Sequence, residues 1–125
     1  MTTVLLDTNA LLMPHQNGVD VFSEIDRILA ETHEVVTLST VVEELKGLSG
    51  SSSEDGAAAR IGLKLLLEKK IRIVPATGEV DDAIVEYSGK NNVVVCTNDK
   101  VLKRRLKSRG VRTICLRGGT HLGLI

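Results

Sequence analysis

Val4-Leu5-Leu6-Asp7-Thr8-Asn9-Ala10-Leu11-Leu12 decides how this chain reads. An unbroken apolar run stops at a carboxylate. As a buried strand, Val4 to Leu6 delivers Asp7 to the strand's C-terminal end, where open parallel α/β sheets bind their ligands. Val93 to Cys96 repeats the arrangement, followed by Thr97-Asn98-Asp99. Between and after these runs, segments of helical and strand periodicity alternate. Helices are expected over 19–30, from Ser39 or Thr40 through Leu48, and over 57–67, 80–88 and 100–109; strands are expected over 3–6, 35–38, 71–74, 93–96 and 111–116. After Asp7 the pattern is helical or irregular, and Pro14 is expected to stop it. Gly118-Gly119-Thr120-His121 reads as a loop. About five short strands alternating with helices predict a three-layer α/β/α sandwich around a mainly parallel sheet, in a single domain spanning residues 1–125.

Composition narrows the chemistry. With one Phe, one Tyr and no Trp, the core must be aliphatic. Few platforms remain for stacking nucleobases, so nucleic-acid binding would act through phosphates. Cys96 and Cys115 lack metal-site spacing and fit buried, reduced thiols. No leader and no apolar run long enough to span a bilayer is evident, which predicts a cytoplasmic protein. Charge is balanced overall but unevenly placed. Up to Asp99 the chain carries sixteen acidic and eight basic residues, net −8; beyond it come eight basic residues and no acid, net +8. Such asymmetry points to a polyanionic partner.

Acidic side chains recur where strands end and helices begin: Asp7, Glu44, the pair Asp81 and Asp82, and Asp99. At 3.6 residues per turn, Glu44 lies about 40° from Leu48, at the edge of its helix's apolar face, whereas Glu43 points away. Asp81 borders the face of Val80, Ile84 and Tyr87; Asp82 points further out. Taken singly, a strand-end Asp reads as a helix cap and acids in a first turn complement the dipole. Together they converge on one edge of the sheet. Crowded carboxylates repel unless a cation neutralises them. Oxygen ligands suit Mg²⁺ or Mn²⁺, and such an ion activates water and clamps phosphoryl oxygens for phosphodiester hydrolysis. Thr8, Asn9, Thr97 and Asn98 suit the orienting of carboxylates and bound waters. His15, His33 and His121 are scattered and read as non-catalytic.

These residues resemble a PIN domain over essentially the whole chain. The carriers are the Asp7-Thr8-Asn9 opening, Val41-Val42-Glu43-Glu44-Leu45, Asp81-Asp82-Ala83-Ile84-Val85 and Val95-Cys96-Thr97-Asn98-Asp99-Lys100. The resemblance implies a Mg²⁺- or Mn²⁺-dependent endoribonuclease on a Rossmann-like sandwich. Asp7, Asp81 and Asp99 would hold the metal, and Glu44 would be a further ligand or the base for the attacking water. Family spacing favours Asp81 over Asp82. Lys100, Lys103, Arg104 and Arg105 would hold the RNA backbone. Two branches match. One is the VapC-type toxins, with a small antitoxin as partner. The other is the small-subunit rRNA-processing endonucleases, whose basic run and late Gly-Gly loop are similar to Leu102-Lys103-Arg104-Arg105 and Gly118-Gly119-Thr120-His121. The absence of long basic extensions suggests a stand-alone archaeal or bacterial protein, and the resemblance makes a homodimer plausible. Two other readings compete: a receiver-like phospho-acceptor domain, which would need an Asp where strand three ends in Val74-Pro75-Ala76, and a non-catalytic RNA-binding PIN module.

Overall fold

A computed structural model describes residues 1–90, 92–119 and 121–125. Strand β1 (Thr2–Leu6) leads into helices α1 (Thr8–Gln16) and α2 (Val21–Ile28). Then follow β2 (His33–Leu38), α3 (Ser39–Ser49), α4 (Glu54–Glu68), β3 (Arg72–Val74), α5 (Val80–Ser88), β4 (Val93–Cys96), α6 (Lys100–Ser108), β5 (Arg112–Arg117) and β6 (His121–Leu124). The strands form one sheet in the order β3-β2-β1-β4-β5-β6. All pairings are parallel except β5 with β6.

Strand order explains where the helices lie. The chain moves outward in one direction from β1 through β2 to β3, then crosses to β4 and moves the other way. Right-handed crossovers therefore put α1 to α4 on one face and α5 and α6 on the other. The chain reverses direction between β1 and β4, which opens the crevice that binds ligands in doubly wound sheets. Leu6 is in register with Thr37 of β2 and with Cys96 of β4. Asp7 thus emerges between the two.

The core is aliphatic, as the composition requires. Leu5, Leu6, Ile25, Leu38, Ile84 and Ile114 are among its fully buried side chains, each contributing about 1.5–3 kcal/mol by removal from water. Both cysteines are buried and free. Small residues bring α4 against α1: a Cβ on Gly62 would sit 2.5 Å from the Leu11 carbonyl oxygen.

The expected α/β/α sandwich is present, with three local corrections. A sixth strand closes the sheet. His121 belongs to β6 rather than to a loop, while Thr120 lies outside the described residues. On its outer edge, the Leu122 N–H donates to Glu24 Oε1 (2.9 Å) and its carbonyl accepts from Arg27 (2.9 Å), so α2 satisfies backbone that β5 cannot reach. Pro14 does not end α1, which runs on to Gln16. One lost intrahelical bond is outweighed by burial of Leu11 and Met13 and by the close approach of α4. Finally, neither Ser39 nor Thr40 caps α3, which has no side-chain cap bond. Ser39 Oγ instead donates to the Ala76 carbonyl (3.0 Å) and accepts the Ala76 N–H (2.8 Å), tying α3 to the segment after β3.

Candidate active site

Asp7 and Asp99 are built alike. Each follows a strand, Asp7 directly and Asp99 after Thr97 and Asn98, in extended conformation, and caps the next helix. Asp7 Oδ1 accepts the Ala10 N–H at 2.7 Å, and Asp99 Oδ1 accepts the Leu102 N–H at 2.8 Å. Capping occupies one oxygen of each carboxylate and leaves the other outside the cap. The caps also fix where the carboxylates sit, because the backbone beneath them is pinned. The Asp7 N–H donates to the Cys96 carbonyl (3.3 Å), and the Thr37 hydroxyl donates to the Leu6 carbonyl (2.8 Å).

Asn9 and Thr97 hold the turn that carries Asp99. The Asn98 N–H donates to Asn9 Oδ1 (2.9 Å) and the Asp99 N–H to Thr97 Oγ1 (3.0 Å). The first bond crosses the crevice from β4's end to α1 and so ties the two Asp-bearing turns together. Thr8 does not join this network. Its hydroxyl is buried, as is that of Thr40, and neither has a hydrogen-bond partner among the described residues.

The electrostatics follow from burial. Asp7 is only 3% exposed. Removal from water pushes its carboxyl up to about 7, against the pull of the Thr97 hydroxyl and the Ala10 amide, and Asp81 and Asp99 add to the rise. The half-buried Asp81 carboxyl is also raised, by desolvation first and then by the negative charges of Glu79, Asp99 and Glu44, with Arg105 opposing. Thus the Asp7 carboxyl lies in the field of Asp81 and Asp99, and the Asp81 carboxyl in that of Asp99 and Glu44. Asp99 and Glu44 are themselves exposed.

Asp82, one residue from Asp81, is placed differently. It is exposed and receives a 2.8 Å bond from the Arg105 guanidinium. Arg105 therefore reaches from α6 toward the acids, while Lys100, Lys103 and Arg104 have no ion-pair partner among the described residues. Glu79 went unnoticed in the sequence. Its carboxylate caps α5 by accepting the Asp81 (2.6 Å) and Asp82 (3.3 Å) N–H groups, which sets Asp81's position and adds to the negative field. The signal was available: Glu79 directly precedes the helix start.

The carboxylates fit a hard divalent cation by chemistry more than by preassembly. Among the described residues, no three acidic, histidine or cysteine side chains are close enough together to hold an ion. Mg²⁺ characteristically takes one or two carboxylates and keeps several waters, and a cation offsets the cost of burying a charged carboxylate. No phospho-acceptor site is built, since β3 lies at the sheet's edge and ends at Val74 without an acid.

Comparison with known proteins agrees with this geometry. The family description "PIN like domain" matches residues 4–119. Ribonuclease VapC4 of Methanocaldococcus jannaschii is 33% identical over 120 residues, covering 94% of this chain and 92% of its own. Ribonuclease VapC9 of Archaeoglobus fulgidus is 34% identical over 108 residues, covering 86% and 77%. Among solved structures, the PIN domain endonuclease Utp24 superposes with a TM-score of 0.78 at 24% identity, over 98% of this chain and 90% of that one. VapBC2 from Rickettsia felis, bound to a promoter DNA fragment, does so at 0.59 and 19%, over 82% and 92%. At these identities the structures speak for the fold. With the family description spanning nearly the whole chain and two relatives a third identical, the protein belongs to the PIN-like domain family.

Proposed function

We propose that the protein is a divalent-metal-dependent endoribonuclease that hydrolyses RNA phosphodiester bonds, acting as a VapC-like toxin or in rRNA processing. The buried Asp7 carboxylate in the crevice between β1 and β4 carries this reading, with Asp81 and Asp99 in its field and Glu44 in that of Asp81. The ribonuclease names of two relatives support it.

When bound, Mg²⁺ or Mn²⁺ would lower the pKa of a water and neutralise developing charge on phosphoryl oxygens. Asp7, Asp81 and Asp99 would be its protein ligands. Asp7 and Asp99 are held still by their caps, which lowers the cost of bringing them to an ion. Glu44, exposed at the rim, takes the proton of the attacking water. Asn9 and Thr97 keep the Asp99 turn fixed against Asp7. Thr8 and Asn98 are proposed to orient the carboxylates and the waters around them, and the unpartnered Thr8 hydroxyl supports this for Thr8. Lys100, Lys103 and Arg104 bind the RNA backbone. Arg105, held beside the acids by Asp82, contacts the phosphate nearest the cut.

The VapC names of the relatives and the VapBC title of a similar structure support a small antitoxin as partner. A homodimer is proposed on family likeness alone. The test is cleavage of structured RNA with and without Mn²⁺. Cleavage that needs the ion and disappears in Asp7→Asn is expected; metal-independent cleavage, or none by the wild type, refutes the proposal.

A further inference from the structure

Resting on the nuclease reading, a second feature deepens it. α6 packs on β5, while α5 packs on β4. Beside α6 a trough of about 450 Å³ opens. Val111, Thr113 and Ile125 form its apolar floor; Lys100, Lys103, Arg104 and Lys107 form its basic wall. The volume lies in the range of small-ligand sites, about 300–1,000 Å³. The wall is regular. Positions 100, 103 and 104, and 107 fall on one helix face in successive turns, each rising about 5.4 Å. None of the four cations has an ion-pair partner among the described residues. Arg105 is turned off this wall, toward Asp82. The row starts at Lys100, next to Asp99, and leads away from the acids.

We propose that α6 and the β5–β6 margin form a track for a single strand of RNA that leads away from the bond to be cut, in which the trough seats one unpaired nucleotide of the flanking strand. The backbone phosphates follow Lys100, Lys103 with Arg104, and Lys107. The nucleoside lies on Val111, Thr113 and Ile125. An unpaired nucleotide is required because a base held in a duplex cannot turn its apolar face to the floor. An acidic peptide would match the wall's charge. However, the wall leads directly to the acids proposed to cut phosphodiesters, and a strand laid along it presents its own backbone to them.

Binding is the readout, measured in the cleavage-dead Asp7→Asn protein by anisotropy of a labelled single-stranded 12-mer RNA and of the same sequence as a duplex. Single-strand binding should be the tighter. Lys103→Glu with Lys107→Glu should weaken it at least 10-fold and flatten its salt dependence by about 1.4 in log–log slope, from two phosphate contacts at about 0.7 each. Ile125→Asp, at an exposed position of the floor, should weaken single-strand binding several-fold and leave duplex binding unchanged. Circular dichroism confirms that each variant is folded. Unchanged single-strand affinity in the charge-reversed variant overturns the track, as does equal loss for strand and duplex on Ile125→Asp, or displacement of the RNA by an acidic Glu-Leu peptide at lower concentration than by unlabelled RNA. Because the wild-type cleavage assay is separate, failure here leaves the nuclease reading standing, and failure there leaves the track to be judged on binding.

Discussion

Replacing Asp7 by Asn should abolish cleavage and at the same time make the metal-free protein more stable. In the fold, the Asp7 carboxyl titrates near 7 instead of 3.8, chiefly because burial disfavours its charge. Below 3.8 it is neutral in folded and unfolded chains alike. Between 3.8 and 7 the folded state holds a proton that the unfolded chain has lost, so stability falls as pH rises. Above 7 the loss is complete. At about 1.4 kcal/mol per pH unit, the full displacement is worth about 4 kcal/mol. Asn keeps an Oδ1 for the Ala10 N–H and caps a helix as well as Asp does. Chelator-treated wild type and Asp7→Asn should therefore diverge from about pH 4, with the variant about 4 kcal/mol more stable at pH 8, or roughly 15 °C in Tm. Adding Mg²⁺ or Mn²⁺ at a hundred times its Kd should return about 2.7 kcal/mol to the wild type and nothing to the variant. Thermal melts across pH 4 to 8, with and without the ion, measure all of this. A variant no more stable at pH 8, or a gap independent of pH, refutes the electrostatic reasoning.

Other outcomes follow from the same geometry. Asp81→Asn should cut kcat by a factor of about 100 or more, whereas Asp82→Asn, which only releases Arg105, should cost under 10-fold; equal losses in a cleavage assay would show that the two acids share the work. Gly62→Ala forces a Cβ onto the Leu11 carbonyl and should destabilise by about 1–3 kcal/mol. Gly47→Ala meets nothing within 4 Å and should stabilise by about 0.5–1 kcal/mol; urea melts compare them. Glu24→Ala strips the Leu122 N–H of its partner and loosens Arg27. A lower Tm is expected, with hydrogen exchange at Leu122 faster than at Ile114.

The placement of Asp7 and Asp99 after strand ends was legible because each follows a buried apolar run. Helical periodicity separated half-buried Asp81 from exposed Asp82, but Glu44 is exposed like Glu43. What could not be read from local pattern depends on residues far apart in the chain. His-Leu-Gly-Leu at 121–124 has weak strand character, and β6 exists because β5 and the Glu24–Arg27 pair complete its hydrogen bonds. Pro14 ordinarily ends a helix, and α1 persists because α4 packs on it at Gly62. The Arg105–Asp82 pair joins two helices 23 residues apart, beyond the reach of any sequence window.

Position in the sheet has a consequence for how the site comes into being. β1 is first in sequence yet central in space, with neighbours that begin some 30 and 90 residues later. The two Asp-bearing turns are joined by contacts that close an 89-residue loop, among them Asp7 to Cys96 and Asn9 to Asn98. Loop closure over that distance comes late in folding. A partly folded chain, or a fragment ending before β4, carries Asp7, Glu44 and Asp81 but no crevice to gather them. On the proposed assignment of these acids, nuclease chemistry is withheld from every species except the complete fold.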